Sequence, residues 1–176
     1  MSGGKTTPYV GRTNAIGIRY WPPASIQLTS AAAVVNQDRH FAVPFNLPGL
    51  TVDRISIETT VGGGNARLAI YDNADGVPGS LMADAGVVDC AGVGVIETAI
   101  GPLTLPDWCW AVAIFSATPT CRCGVGNQSV LGTSGPGNQI RGLISSGTPG
   151  YSNGMPNVMP AMAFLSSCPA IFLRKS

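Results

Sequence analysis

Apolar and polar residues alternate over several short stretches of the chain, with the period of half-buried β-strands. The clearest stretch is residues 52–61, where Ile55 and Ile57 share one face and polar side chains occupy the other. A second stretch follows the glycine-rich residues 62–65 and ends at Tyr71. The pattern predicts two consecutive strands joined by a turn.

One stretch is apolar on both faces. Residues 108–115, WCWAVAIF, lack the alternation, which is typical of a strand at the centre of a sheet. Pro44 predicts that its strand lies at an edge or contains a bulge, because proline has no backbone N–H to donate to a neighbouring strand. The other predicted strands are residues 16–20, 39–45, 93–100, 120–125, 139–145, 162–166 and 170–174.

These short strands, separated by turns, predict an all-β fold. We expect an antiparallel β-sandwich, jelly-roll-like, of about eight strands. Residues 1–30 lack clear periodicity and are predicted to form an extended N-terminal arm. Residues 31–176 are predicted to be one sandwich domain with long Gly/Ser/Pro loops, above all at 124–138 and 146–160.

The arm combines proline pairs with aromatic residues. Proline pairs favour extended chain, and exposed aromatic rings suit contact with another protein. We therefore expect the arm to dock onto a partner. The residues predicted to dock are Tyr9, Tyr20, Trp21, Pro22 and Pro23.

Charge is scarce in this chain of 176 residues. Charged residues make up 11%, against about 25% in typical domains, and the net charge is +1. This balance predicts no nucleic-acid partner and no membrane partner. No signal peptide or membrane span is predicted either, because four prolines break the long charge-free run of residues 142–173. A surface so poor in charge suggests that neighbouring subunits cover much of it.

The cysteines are odd in number, and their spacing matches no common metal motif. Cys121 and Cys123 are two residues apart, which differs from the C-x-x-C of zinc and redox sites. Buried free thiols, disulfides within or between subunits, and an all-cysteine metal site remain alternatives. The residues concerned are Cys90, Cys109, Cys121, Cys123 and Cys168.

The acidic segment YDNADGVPG, residues 71–79, has some features of a calcium loop. An EF-hand loop needs a carboxylate at its first position and a glutamate at its twelfth, which fall here on Tyr71 and Met82. The pattern favours a turn in which Gly76 supplies a positive φ. An irregular calcium site built on Asp72 and Asp75 is the alternative.

No catalytic motif stands out, and we predict neither an enzyme nor a cofactor. His40 is the only histidine, with Asp38 two residues before it, and it is predicted to lie on the surface. The segment GTSGP, residues 132–136, lacks the final glycine of a G-x-S-x-G nucleophile elbow.

Trp108 and Trp110 share a strand face by alternation. Burial in the core and stacking on a sugar are the two interpretations of this pair.

Three segments, taken in order, resemble a known module. They are AVPFNLPGLTVDRISIETT, ARLAIYDNADGVPGSLMADAGVVD and GPLTLPDWCWAVAIFSATPT, within residues 41–122. Their order and spacing are similar to those of a β-sandwich module recurrent in tailed-bacteriophage virion proteins. That module has a Pro-Phe strand, a DRI strand, a RLGIY…G-PG-LL-DAG hairpin and a LTL…G-YWLA strand. Ala69 departs from its usual glycine, and residues 107–110 replace its Gly-Tyr-Trp.

The resemblance implies a non-enzymatic virion structural protein, made in the host cytoplasm. Tail fibres normally contain long repetitive shafts, and this chain contains none. A compact domain with an arm favours a capsid decoration (cement) protein that binds the major capsid protein or other virion proteins and stabilises the head. The resemblance further implies a homo-oligomer, with a trimer favoured. The alternative is a tail or fibre-associated protein that binds a receptor or carbohydrate, such as a host surface glycan.

Overall fold

The computed structural model describes residues 19–21, 31–123, 133–135, 138–140 and 142–175. Within these residues there are fourteen strands and no α-helix, and no helix long and apolar enough to cross a membrane. The strands are β1 (Arg19–Trp21), β2 (Ala32–Val34), β3 (His40–Phe45), β4 (Thr51–Val61), β5 (Asn65–Ala74), β6 (Val77–Asp89), β7 (Gly94–Thr104), β8 (Cys109–Phe115), β9 (Thr120–Arg122), β10 (Thr133–Gly135), β11 (Asn138–Gln139), β12 (Gly142–Ser145), β13 (Met162–Leu165) and β14 (Ile171–Lys175).

Two six-stranded antiparallel sheets form the sandwich. In sheet A, β4 pairs with β7 on one side and with both β14 and β9 on the other, and β1 and β2 continue outward from those two. Sheet B has the order β13-β12-β3-β8-β5-β6. Strands β10 and β11 form a separate pair. The antiparallel all-β sandwich predicted from the alternation is confirmed.

The main core lies between the inner faces of the two sheets. Ile55 and Ile57 of β4 face Leu68 and Ile70 of β5, and all four side chains are fully buried. Burying one such side chain is worth about 1.5–3 kcal/mol. The alternation read from the sequence therefore assigns the inner face of β4 correctly.

Strand β8 is central, as its uninterrupted apolar sequence predicts. All seven of its residues are buried, between β3 on one side and β5 on the other. Pro44 was predicted to mark an edge strand or a bulge, but β3 lies inside sheet B and pairs with β8 without a register shift. Strand β12 pairs with β3 only at Phe41 and Ala42, so the proline lies beyond the reach of that neighbour.

The outer face of sheet B is covered by residues 146–161, which we call the strap. A second hydrophobic cluster is buried beneath it, and it includes Tyr71, Trp110, Val112 and Met155. One 3₁₀ turn, Tyr151–Asn153, lies within the strap. The sequence predicted this segment as a long loop. The structure adds that it packs back onto its own sheet.

Candidate functional site

The strap is held along the outer face of sheet B by backbone and side-chain contacts. The hydroxyl of Tyr71 donates a hydrogen bond to the carbonyl oxygen of Pro156, at 2.6 Å. Burial raises the pKa of this phenol, with a smaller contribution from Asp84, so the hydroxyl stays protonated and able to donate. The N–H of Leu81 donates to the carbonyl oxygen of Asn157, at 2.9 Å. The strap thus continues the hydrogen bonding of sheet B beyond β6.

The first half of the strap is fixed by two charged residues. Asp38, which has a φ of 58°, accepts a hydrogen bond from the backbone N–H of Tyr151, at 2.8 Å. The guanidinium carbon of Arg67 lies 5.3 Å from the centre of the Tyr151 ring, which is a cation–π arrangement. Asp38 therefore holds the strap in place through this hydrogen bond.

The two tryptophans near β8 have different environments. Trp110 is 2% exposed under the strap, and its indole N–H donates to the Asn73 side-chain oxygen at 2.9 Å. Trp108 precedes the strand and is 38% exposed. Burial in the core therefore applies to Trp110, which has no free ring face for a sugar. Trp108 alone keeps an exposed surface.

His40 is fully buried, so the prediction of a surface histidine is wrong. Its Nδ1 lies 3.1 Å from the hydroxyl oxygen of Ser145, which also accepts the His40 backbone N–H at 2.9 Å. Burial lowers the pKa of His40 from 6.5 to about 4. The imidazole is therefore neutral at pH 7 and shielded from solvent. This pair stabilises the junction of β3 and β12.

The acidic segment forms a hairpin between β5 and β6. Asp75 and Gly76 have φ values of 51° and 87°, as a two-residue type I′ turn requires. A carboxylate oxygen of Asp72 accepts the backbone N–H of Ser80 and is engaged across the hairpin. Among the described residues no group of three or more His, Cys, Asp or Glu side chains is placed to hold a metal ion. The interpretation of this segment as a bend agrees with the structure, although β5 continues past Tyr71 to Ala74 and β6, which was not among the predicted strands, begins at Val77.

All five cysteines are buried and none is joined to another, so the structure does not support a disulfide within the chain. Burial raises the pKa of Cys90 to about 11 and the pKa values of Cys109 and Cys121 to about 12. Each of these three belongs to the main core. Cys123 and Cys168 are buried as well. These side chains act as small apolar residues of the interior.

The predicted arm is described only in part. Tyr20 and Trp21 lie in β1, which pairs with β14 and belongs to sheet A. The structure thus places this portion in the sandwich. The remaining docking residues, Tyr9, Pro22 and Pro23, lie outside the described residues.

The outer face of sheet A carries exposed valines, which the sequence analysis did not single out. Val34 and Val61 are the register partners of Thr120 on its two sides, and they are 67% and 59% exposed. Val95 is the register partner of Glu58 and is 55% exposed. Thr120 and Glu58 each alternate with a core residue, so these positions lie on the outer side. We call Val34, Val61 and Val95 the valine face.

Ion pairs flank the valine face. The Arg122 guanidinium donates to Glu58 at 2.5 Å, and this hydrogen bond lowers the pKa of the glutamate. Glu97 interacts with both Arg54 and Arg174 further along the same sheet. The charged groups are thus paired with each other, while the valines beside them are exposed to solvent. This arrangement suits an apolar contact that also covers paired charges.

No protein-family model matches the chain, and no curated protein matches it. One similar solved structure is the crystal structure of the cysteine protease and lectin-like domains of Cwp84, a surface layer associated protein of Clostridium difficile. The TM-score is 0.50 and the sequence identity 14%. The match covers 90% of this chain and 36% of that chain. At this identity the likeness concerns the fold alone, and it agrees with the all-β architecture.

Proposed function

We propose that this protein is a non-enzymatic virion structural protein of a tailed bacteriophage, and that it decorates the capsid by binding the major capsid protein. The exposed valine face is the observation that supports this proposal most. Three valines, each more than half exposed, occupy one outer sheet face whose charged groups are already paired. Covering such a face removes apolar area from water without separating charges.

Two features of the sequence support the same proposal. Charged residues are 11% of the chain, which suits a protein whose surface is largely covered in its assembly. The order of the segments within residues 41–122 resembles the virion module, and the hairpin of that module corresponds to β5 and β6. In this proposal the protein reaches the particle from the host cytoplasm.

The first experiment measures copy number in purified particles by quantitative mass spectrometry. Hundreds of copies support capsid decoration, whereas a handful of copies places the protein at the tail and refutes it.

The second experiment adds purified protein to particles that lack it. A Val34→Lys/Val61→Lys variant should bind at least about tenfold more weakly, equivalent to about 1.4 kcal/mol. Val158→Lys is the matched control, because Val158 is 68% exposed on the strap.

The docking role of the arm has its own test. Deleting residues 1–18 leaves β1 in place, so sheet A keeps its full set of described strands. Weaker particle binding by this truncated protein supports docking through the arm. Unchanged binding assigns the contact to the sandwich alone.

Carbohydrate binding is the second candidate, favoured by Trp108. Its ring is 38% exposed beside Asp107, and Asn46 donates a hydrogen bond to the Asp107 carbonyl oxygen at 2.8 Å. Sugar sites commonly combine an aromatic surface with fixed polar groups of this kind. The similar solved structure includes a domain titled lectin-like. A glycan array probed with the protein and with Trp108→Ala tests this function, and signals that survive the substitution count against it.

A further inference from the structure

Strand β13 forms one edge of sheet B, and no other described strand pairs with its outer side. It pairs with β12 alone, from Ser145↔Met162 to Gly142↔Leu165, without a register shift. Its sequence is Met-Ala-Phe-Leu, and Phe164 is 64% exposed. The edge therefore combines open backbone hydrogen-bonding groups with an exposed aromatic ring.

Two other edges of the sandwich, β6 and β7, carry protection that β13 lacks. Natural edge strands are blunted by charges, proline, bulges or a covering segment. On the opposite edge of sheet B, the strap covers part of β6 through the hydrogen bonds and the bridge at Val158. On the edge of sheet A, β7 contains Gly101, with a φ of 72°, followed by Pro102. Strand β13 contains no charge and no proline. Such an edge is open to pairing with another strand.

We propose that β13 of a second copy of this chain covers this edge, paired antiparallel across a two-fold axis. Two identical strands in this arrangement satisfy each other's open backbone groups, because an antiparallel pair is symmetric. Strand β13 carries no charged residue, so like charges within the two paired strands do not oppose the pairing. The charged side chain beside this edge is Arg39, which lines a small pocket together with Met162 and Ala163. The contact joins the two copies of sheet B into one continuous sheet.

The alternation of side chains restricts the register. A two-fold axis perpendicular to the sheet keeps the outer faces of both copies on the same side. Directly opposed residues of an antiparallel pair also point to the same side, so one residue of β13 must pair with the same residue of the second copy. Centring the pair on Ala163 places Phe164 opposite Met162 of the second copy. Met162 is partly buried and packs against the second hydrophobic cluster, on the outer face of sheet B. Phe164 is on the same face by alternation, so its ring lies against Met162 of the second copy, where the methionine sulfur gives a favourable aromatic contact.

The contact is small, which determines the behaviour expected of the free protein. Two four-residue edges bury less than the roughly 1,000 Å² of a stable interface. We therefore expect a reversible dimer whose population rises with concentration. The trimer implied by the resemblance would need a different contact. The proposal is independent of capsid binding, because it concerns the purified chain alone.

Sedimentation of the full chain over about a hundredfold range of concentration tests the proposal. The wild type should shift from monomer to dimer. Phe164→Lys should weaken the dimer at least about tenfold, because it adds two charges beside the shared edge. Val158→Lys, on the other side of sheet B, should leave the dimer unchanged. Circular dichroism and urea midpoints check that both variants fold. A monomer at every concentration, or an oligomer that Phe164→Lys leaves intact, overturns the proposal.

A cysteine variant tests the register. Ala163→Cys places one new thiol on each edge, directly opposite its copy, so mild oxidation should produce a covalent dimer. The native cysteines are buried and do not compete. Val158→Cys is the control and should stay uncoupled. A dimer that persists while Ala163→Cys fails to cross-link overturns the register centred on Ala163.

Discussion

Acidification should destabilise this protein through His40. The side chain is fully buried, and burial lowers its pKa from 6.5 to about 4. In the unfolded chain the imidazole takes up a proton as the pH falls below 6.5, while in the folded protein it stays neutral down to pH 4. The unfolded state therefore binds more protons in this window, and the free energy of unfolding falls as the pH falls.

The size of the effect follows from the two pKa values. A tenfold change in a proton-binding equilibrium is worth about 1.4 kcal/mol, so His40 should remove about 3 kcal/mol of stability between pH 7 and pH 4. Domains of this kind are stable by only about 5–15 kcal/mol. The loss should therefore be visible as a lower urea midpoint.

The matched variant is His40→Asn. An asparagine oxygen can take the position of Nδ1 and accept a hydrogen bond from Ser145, but the amide does not titrate. Urea unfolding, followed by tryptophan fluorescence at several pH values, gives the free energy of unfolding of both proteins. Carboxylates such as Glu58 titrate in both, so their contribution cancels in the comparison.

The wild type should lose about 3 kcal/mol more than His40→Asn between pH 7 and pH 4. His40→Asn itself will be less stable at pH 7, since it leaves space in a packed site, but only the pH dependence is compared. Equal pH dependence of the two proteins would refute the reasoning. An NMR titration that gives His40 a pKa near 6.5 in the folded protein would do the same.

Three further predictions concern packing. The five cysteines should resist a thiol reagent in the native protein at pH 8 and all react in denaturant, because they are buried; one rapid native reaction would contradict this. Trp110→Ala should cost about 3–5 kcal/mol in urea unfolding, whereas Trp108→Ala should cost less than about 1 kcal/mol, since only the first is buried. Gly142→Ala should lower the melting temperature strongly, because a Cβ there would overlap the Cys168 sulfur, and Gly92→Ala, with open space around it, is the control. Similar losses in the two glycine variants would argue against the packing described.

Much of the fold could be predicted because strand alternation is a local signal. Ile55 and Ile57 are two residues apart on one face of the strand, and their apolar side chains indicate that this face is buried. The uninterrupted apolar sequence of β8 likewise indicates cover on both sides. Strand β6 was not predicted from the pattern, because Pro78 and Gly79 interrupt it and its pairing with β5 shifts register three times.

The candidate sites were much less predictable. The valine face arises because Val34, Thr120 and Val61 come from three strands that lie side by side only in the folded protein. Exposed valine in a strand looks the same in sequence as buried valine. Phe164 is a similar case, since its exposure depends on the position of β13 at the edge of sheet B.

The class of fold could be predicted from the sequence alone, since alternation and turn residues act within a few positions of each other. The sequence could indicate that residues 146–161 are irregular, but only the tertiary structure shows that they cover Trp110 and Tyr71. The bond that fixes the strap joins Tyr71 to Pro156 across 85 positions. The burial of His40 was likewise not predictable from the sequence, because its partner Ser145 lies 105 positions away in the chain. Contacts between residues so far apart produce no periodic pattern in the sequence. The packing of the strap on sheet B therefore becomes visible only in the folded structure.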